Sequence, residues 1–333
     1  MTAAKVELGR YLFYDTRLSG NGTYACASCH RQELAFTDGR ARAVGSTGEL
    51  HPRAAMSLAN VAYNETLTWA DPTIRLLEEQ ALVPMFNERP VELGLEGRAG
   101  EAMARLRSDD RYTRMFTAAF PGEEDPMRVP NVAKALASFQ RTFISGDSPY
   151  NRLVYHGETD AVSDSGRRGM NLFFSERMRC SECHVGFNFS GPVAFRDSGP
   201  MEPAFHNTGL YNLDERGAYP PGSQGLHETT GKPEDMGRFR APTLYNVELT
   251  GPYMHDGSVE TLEEVLEIYA AGGRNIPSGR HAGDGRLNPH KSHLMAGFEM
   301  SRQEKEDLVS FLKSLTDEQF TSDPRFSDPF ESP

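Results

Sequence analysis

The sequence predicts an all-α fold made of two tandem units with long irregular loops. Three observations predict it. Apolar residues recur at helical spacing through most segments that are not rich in glycine and proline. Two stretches of sequence appear twice. All four cysteines fall in two copies of one pattern, Cys26-Ala27-Ser28-Cys29-His30 and Cys180-Ser181-Glu182-Cys183-His184.

The repeat can be followed along the chain. Leu8-Gly9-Arg10-Tyr11-Leu12-Phe13-Tyr14 precedes the first cysteine motif, and Arg168-Gly169-Met170-Asn171-Leu172-Phe173-Phe174 precedes the second. Downstream, Met56-Ser57-Leu58-Ala59-Asn60-Val61 resembles Pro242-Thr243-Leu244-Tyr245-Asn246-Val247. These last segments lie 186 residues apart, against 154 for the cysteine motifs, so the second half carries about 32 extra residues. The insert, roughly Gly186 to Gly237, is rich in Gly, Pro and Asn and reads as long loop. Two similar units on one chain point to a duplication.

Helices are expected at 6–14 and 165–174, ahead of the two cysteine motifs, and at the equivalent positions 74–82 and 261–271. Residues 109–120 and 131–143 also have helical apolar spacing. Ser301-Arg302-Gln303-Glu304 is a capping box that opens a helix to Leu315. Its Leu308, Phe311, Leu312 and Leu315 form one apolar stripe, as plain core packing requires. The tail from Thr316 is polar with prolines and reads as peripheral. Gly, Pro and Ser cluster between Ser145 and Asp160, which places the domain cut there, with units 1–150 and 151–333.

C-x-x-C-H is the attachment signature of c-type haem. Each cysteine pair makes thioethers to the haem vinyl groups, and the adjacent histidine becomes the proximal iron ligand. A single four-thiolate zinc site or two disulfides are the alternatives. Neither requires a histidine after both pairs. The expected cofactors are therefore two covalent haems, held by Cys26, Cys29 and His30 and by Cys180, Cys183 and His184. That directs the search for function to iron redox chemistry.

With 333 residues and 38% hydrophobic content, the chain has material for about two cores. No apolar run approaches the roughly 20 residues of a membrane span. A net charge of −12 argues against nucleic acid as a partner. The start, Met1 to Lys5, does not read as a signal peptide. Haem is attached outside the bacterial cytoplasm, so a periplasmic location with the export signal removed is expected.

With two haem motifs and Pro252-Tyr253-Met254-His255-Asp256-Gly257, the sequence resembles the bacterial di-haem cytochrome c peroxidase and MauG superfamily over nearly its whole length. It is most similar to the MauG-like branch called the MbnH family. Glu33 to Arg40, His206 to Tyr211 and Gly237 to Leu244 carry that match. The resemblance implies two cytochrome-c-like haem domains with a calcium ion and a tryptophan between the haems. It makes 1–150 the peroxide-reactive domain and 151–333 the domain with a tyrosine-ligated haem.

The resemblance also implies roles for single residues. Peroxidases of the family place a methionine 14 residues after the histidine of the His-Asp-Gly motif, and MauG-like enzymes place a tyrosine there; here it is Tyr269. Thioether sulfur raises the iron potential, whereas a phenolate favours oxidised iron. Met254, Met295 and Met300 are the competing ligands. The repeat sets Val83 opposite Tyr269, so the first haem gains no ligand from that helix. Gln80, Pro84 and Glu92 match the family's distal Gln, Pro and Glu, with Glu88 as runner-up to Glu92. A carboxyl group over open iron can take a proton from peroxide and return it to the leaving oxygen. His51 is expected to face solvent or pack as a polar group, ligation of the first haem being its alternative. Trp69, the one tryptophan, matches the inter-haem relay, with an ordinary core aromatic as the other reading. The second tryptophan of MauG falls at Met178. Arg240 matches an arginine near haem propionates. Calcium would take the carbonyls of Thr250 and Pro252; the family's asparagine falls at Ala54, leaving Asn60 or water to compensate.

The function implied is a periplasmic oxidoreductase. Hydrogen peroxide forms a high-valent two-iron state, which oxidises a side chain of a partner protein. For MbnH-like proteins that is tryptophan taken toward kynurenine in an MbnP-like, copper-binding partner. The alternatives are a cytochrome c peroxidase supplied by a small redox protein, and a di-haem electron carrier.

Overall fold

The computed structural model describes residues 1–191, 193–195 and 204–331. The chain forms two compact units. The first comprises Met1–Ala62, Ile74–Ile144 and the chain end from Gln319; the second comprises Tyr63–Thr73 and Ser145–Glu318. The first holds α1 (Ala3–Tyr14), α2 (Leu77–Phe86), α3 (Ala99–Arg107), α4 (Asp110–Ala119) and α5 (Val129–Gln140). The second holds α6 (Pro149–His156), α7 (Asp164–Phe173), α8 (His227–Thr230), α9 (Leu262–Ala270) and α10 (Arg302–Lys313). The fold is mainly helical, as expected, with two small antiparallel ladders added. One pairs β1 (Phe205–His206) with β2 (Phe239–Arg240); the other pairs β3 (Asn275–Ile276) with β4 (Gly283–Asp284).

Each unit is organised on one helix crossing, and the same residue makes it in both. In the first unit α1 packs on α5, and a Cβ on Gly9 would lie 2.0 Å from the Ala135 carbonyl oxygen. In the second α7 packs on α10, and a Cβ on Gly169 would lie 1.9 Å from the Asp307 carbonyl oxygen. Only glycine allows backbones to come that close. An aromatic triad sits beside each crossing. Phe13 meets Phe139 at 5.6 Å and Phe36 at 6.0 Å between ring centres; Phe173 meets Phe311 at 5.1 Å and Phe189 at 5.8 Å. All six rings are buried. The three edge-on pairs among these add about 0.5–1.5 kcal/mol each beyond the area they bury.

The repeated loops share backbone geometry as well. Asn60 and Asn246 both take left-handed φ, 56° and 61°. Their N–H groups donate to the Phe143 and Leu315 carbonyls at 2.8 and 3.0 Å. Asparagine tolerates this conformation better than most residues, which explains why the repeat carries Asn at both positions.

The units depart from a single cut at residue 150. The tail is not peripheral: Phe320 and Phe326 are buried against Phe36 and Phe143 of the first unit. Gln32 Nε2 donates to the Phe320 carbonyl at 3.2 Å, and Tyr14 Oη donates to that of Phe326 at 2.6 Å. The Gly/Pro/Ser-rich stretch after Ser145 contains α6. There Ser148 and Asn151 form a reciprocal capping box, Pro149 opens the helix, and Gly157 closes it at φ 73°. The expected helix at 74–82 starts later and runs through Pro84 to Phe86. Within the expected long loop, residues 192 and 196–203 lie outside the described residues; the rest contains β1 and α8.

Candidate functional site

Each unit encloses one cavity lined by its own Cys-Cys-His motif. All four cysteines are free. Among the described residues, no group of three or more His, Cys, Asp and Glu could hold a metal ion by itself. Neither disulfides nor a four-thiolate zinc site is formed. The cavity of the first unit is about 560 Å³ with its mouth; that of the second, about 1400 Å³, is lined largely by apolar side chains.

The histidines are set up alike. Nδ1 of His30 lies 2.7 Å from the Phe36 carbonyl oxygen, and Nδ1 of His184 lies 2.9 Å from that of Phe189. A carbonyl only accepts, so Nδ1 carries the proton and Nε2 keeps its lone pair. Such a partner orients a metal-bound imidazole and raises its basicity. The accepting residues are left-handed, Phe36 at 62° and Phe189 at 51°. The turn behind each is pinned by a hydroxyl: Ser57 Oγ donates to the Ala35 carbonyl at 2.7 Å, and Thr243 Oγ1 to that of Asn188 at 2.8 Å. Burial holds both histidines below the usual imidazole value, which keeps them neutral and able to ligate. Paired sulfurs, a neutral Nε2 and an apolar cavity in each unit fit a covalently held haem.

The first cavity brings together Cys26, Cys29, His30, Gln80, Pro84 and Glu92. Pro84 cannot donate to the carbonyl one turn back; its own carbonyl accepts from Leu93 N–H at 2.8 Å. That bond, with Ser46 N–H to the Glu92 carbonyl at 2.8 Å and Gly20 N–H to that of Leu93 at 2.7 Å, fixes the backbone that carries Glu92. Burial raises the Glu92 carboxyl to about 7. Glu88 is exposed and outside the cavity lining. His51 is also outside the lining; its Nδ1 accepts from Arg53 N–H at 3.0 Å, and its Nε2 lies 3.9 Å from Glu92 Oε1.

The second cavity brings together Cys180, Cys183, His184, Tyr269, Trp69 and Arg240. Burial pushes the Tyr269 phenol well above its usual value. Its hydroxyl has no hydrogen-bond partner among the described residues. Met254 and Met295 line the same cavity; Met300 does not. Arg240 is buried, which lowers its guanidinium to about 10, and its Nε donates to the Thr68 carbonyl at 3.3 Å. Trp69 accepts from Arg240 N–H at its carbonyl, 2.9 Å away. Met178, at the position of MauG's second tryptophan, is buried in the same lining.

Thr250 and Pro252 belong to the second unit and Asn60 to the first. The left-handed backbone at Asn60 favours asparagine there. Several lining residues had no sequence-based role, His206 and Gln140 among them. His206 lines the second cavity, and burial lowers its imidazole. Gln140, 5% exposed, lines the first, where the repeat places Leu312 in the second. A lone amide on the apolar face of a helix gives no pattern to read.

The model of a family described as di-haem cytochrome c peroxidase matches residues 3–160. The methylamine utilization protein MauG of Methylorubrum extorquens is 33% identical over 95% of this chain and 79% of its own length. The cytochrome-c peroxidase IdrP1 of Pseudomonas sp. (strain SCT) is 34% identical over 95% of this chain and 81% of its own. Among solved structures, a MauG-like protein associated with microbial copper homeostasis superposes with a TM-score of 0.97 at 48% identity, covering 99% of this chain and 94% of that one. The di-haem peroxidase BthA of Burkholderia thailandensis, 20% identical over 98% of this chain and 90% of its own, shares the fold with a TM-score of 0.72. The chain belongs to the MauG and di-haem cytochrome c peroxidase family of oxidoreductases.

Proposed function

We propose that this protein is a periplasmic MauG-like enzyme that uses hydrogen peroxide to oxidise a side chain of a partner protein. One observation carries the reading: the two cavities are alike on the histidine side and unlike elsewhere. The first presents Gln80, Pro84 and a carboxyl raised to about 7. The second presents the phenol of Tyr269 on its wall, with no hydrogen-bond partner among the described residues.

Bound haem supplies iron that accepts the oxidising equivalents of peroxide. His30 and His184 would hold the two irons through Nε2. Glu92, ionised above about pH 7, takes a proton from peroxide and, once protonated, delivers it to the leaving oxygen. Gln80 and Pro84 shape the space in which that oxygen sits. Tyr269 would hold the iron of the second haem through its phenol oxygen and so favour its oxidised states. Arg240 neutralises haem propionates, which would raise its guanidinium again. Trp69 relays oxidising equivalents. The carbonyls of Thr250 and Pro252 are the calcium ligands of this reading.

The partner is proposed to be copper-binding and MbnP-like, with tryptophan taken toward kynurenine. The likeness to a structure associated with copper homeostasis supports that choice. The haem-loaded protein, treated with peroxide and no reductant, is expected to retain the oxidising equivalents and spend them on the partner. Rapid turnover with reduced cytochrome c and an unmodified partner would instead establish the peroxidase reading, which the IdrP1 relatives favour. No reaction with peroxide would leave an electron carrier.

A further inference from the structure

We propose that Tyr211 is a redox-active tyrosine, with Asp256 as its proton acceptor, fed from the second cavity. The proposal takes its oxidant from the function proposed above, and goes beyond it by assigning a side chain where an oxidising equivalent rests inside the second unit.

Phe239 and His255 line that cavity and stack on each other, ring centres 3.7 Å apart at 13°. His255 lies 6.4 Å from Tyr219, and Tyr219 lies 5.5 Å from Tyr211. All four side chains are buried. On its far side Tyr211 meets the ring of His281, which is partly exposed, at 5.6 Å. A run of π-systems therefore leads from the cavity wall toward solvent.

A phenol yields an electron readily only if its proton can leave at the same time. Tyr211 Oη donates to Asp256 Oδ2 at 2.7 Å. Burial alone would raise the Asp256 carboxyl; the nearby His255 and the hydrogen bonds from Tyr211 and Ser258 more than offset it, so the group stays ionised. Arg274 approaches through Ser258, donating to its Oγ at 2.8 Å and to its carbonyl at 3.0 Å. Tyr219 lacks such an acceptor: its hydroxyl donates to the Asn207 amide oxygen at 2.8 Å. An amide is too weak a base, so Tyr219 serves as a stepping ring. In the step itself Tyr211 loses one electron to the haem iron of the second cavity, which is reduced by one. The phenolic proton moves to Asp256, and a neutral tyrosyl radical remains.

The test uses the haem-loaded full chain in two arms, one oxidised by hydrogen peroxide and one by a flash-quench ruthenium photo-oxidant. Electron paramagnetic resonance is read with ring-deuterated tyrosine. A tyrosyl signal is expected in both arms. It should vanish in Tyr211→Phe, weaken in Asp256→Asn and return in Asp256→Glu. Tyr112→Phe should keep it; that tyrosine also donates to a carboxylate, Asp15, but lies in the first unit outside the cavity lining. If peroxide oxidises the irons and no Tyr211-dependent signal appears, the proposal is overturned while the proposed function stands. If the photo-oxidant gives the signal and peroxide leaves the irons unchanged, Tyr211 stands as a redox site and the proposed function falls. A folded Tyr211→Phe protein that retains the full signal in both arms overturns the assignment.

Discussion

Replacing Glu92 by Gln should make the protein more stable at alkaline pH and a poorer reactant toward peroxide. The Glu92 carboxyl moves from its ordinary 4.5 to about 7 because burial disfavours its charge. Its side chain is 28% exposed, so solvent relieves only part of that cost. A tenfold change in acidity is worth about 1.4 kcal/mol, which makes the charged folded state cost up to about 3 kcal/mol. The sign follows from proton binding. The unfolded chain releases this proton near pH 4.5 and the folded chain near 7, so between those values the folded state binds more protons. Stability from this group therefore falls as pH rises from 4.5 through 7, and the whole cost is present above 7. Glutamine carries no charge and escapes it. Denaturant unfolding of both proteins at pH 5 and pH 8 should show a gap of about 1–3 kcal/mol in favour of the variant at pH 8, and little gap at pH 5. Stopped-flow mixing with peroxide should show the native rate falling below about pH 7. The variant should be slower by about 10²–10⁴-fold, as for loss of an acid–base group. Equal stabilities at pH 8 together with equal, pH-independent rates would refute both the burial argument and the catalytic role.

Other perturbations test the fold and the remaining site residues. Gly9→Ala and Gly169→Ala place a methyl about 2 Å from a helix carbonyl and should each cost about 1–3 kcal/mol or more in thermal unfolding. Gly100→Ala in α3, with nothing within 4 Å of the new Cβ, should instead stabilise by about 0.4–1 kcal/mol. Tyr269→Met should raise the potential of the second haem in spectroelectrochemical titration; an unchanged potential and spectrum would remove Tyr269 as a ligand. Removing divalent ions with a chelator should alter the haem spectra and the persistence of the peroxide-oxidised state, and added calcium should restore both. Indifference to chelation would end the calcium reading.

The haem-attachment motifs are legible because their chemistry demands rare residues at fixed spacing; Tyr269, Gln80, Pro84 and Glu92 come only from the family resemblance. The cysteine–histidine motifs, Tyr269 and the group Gln80, Pro84 and Glu92 all line the cavities expected for them. The duplication extends further than the sequence alone shows. Gly9 and Gly169, Phe36 and Phe189, and Ser57 and Thr243 do the same work in two units, and the Phe36–Phe189 pair lies outside the segments whose repetition the sequence shows. α6 was hidden because Ser148, Pro149 and Gly157 read as linker when they are its two ends. The tail misled for a related reason. Phe320 and Phe326 stand singly among prolines and acids, and no periodicity marks an irregular segment that fills a core. Gln140 and His206 were beyond reach because an isolated polar residue acquires meaning only from what the fold sets opposite it.

That returning tail bears on how the protein is made. Phe320 and Phe326 close the aromatic core behind Phe36, whose carbonyl orients His30. Without the segment that carries Phe320 and Phe326, that core lacks two of its rings. A chain cut before Gln319 should emerge with the amino-terminal haem loosely seated and a greasy face that invites degradation.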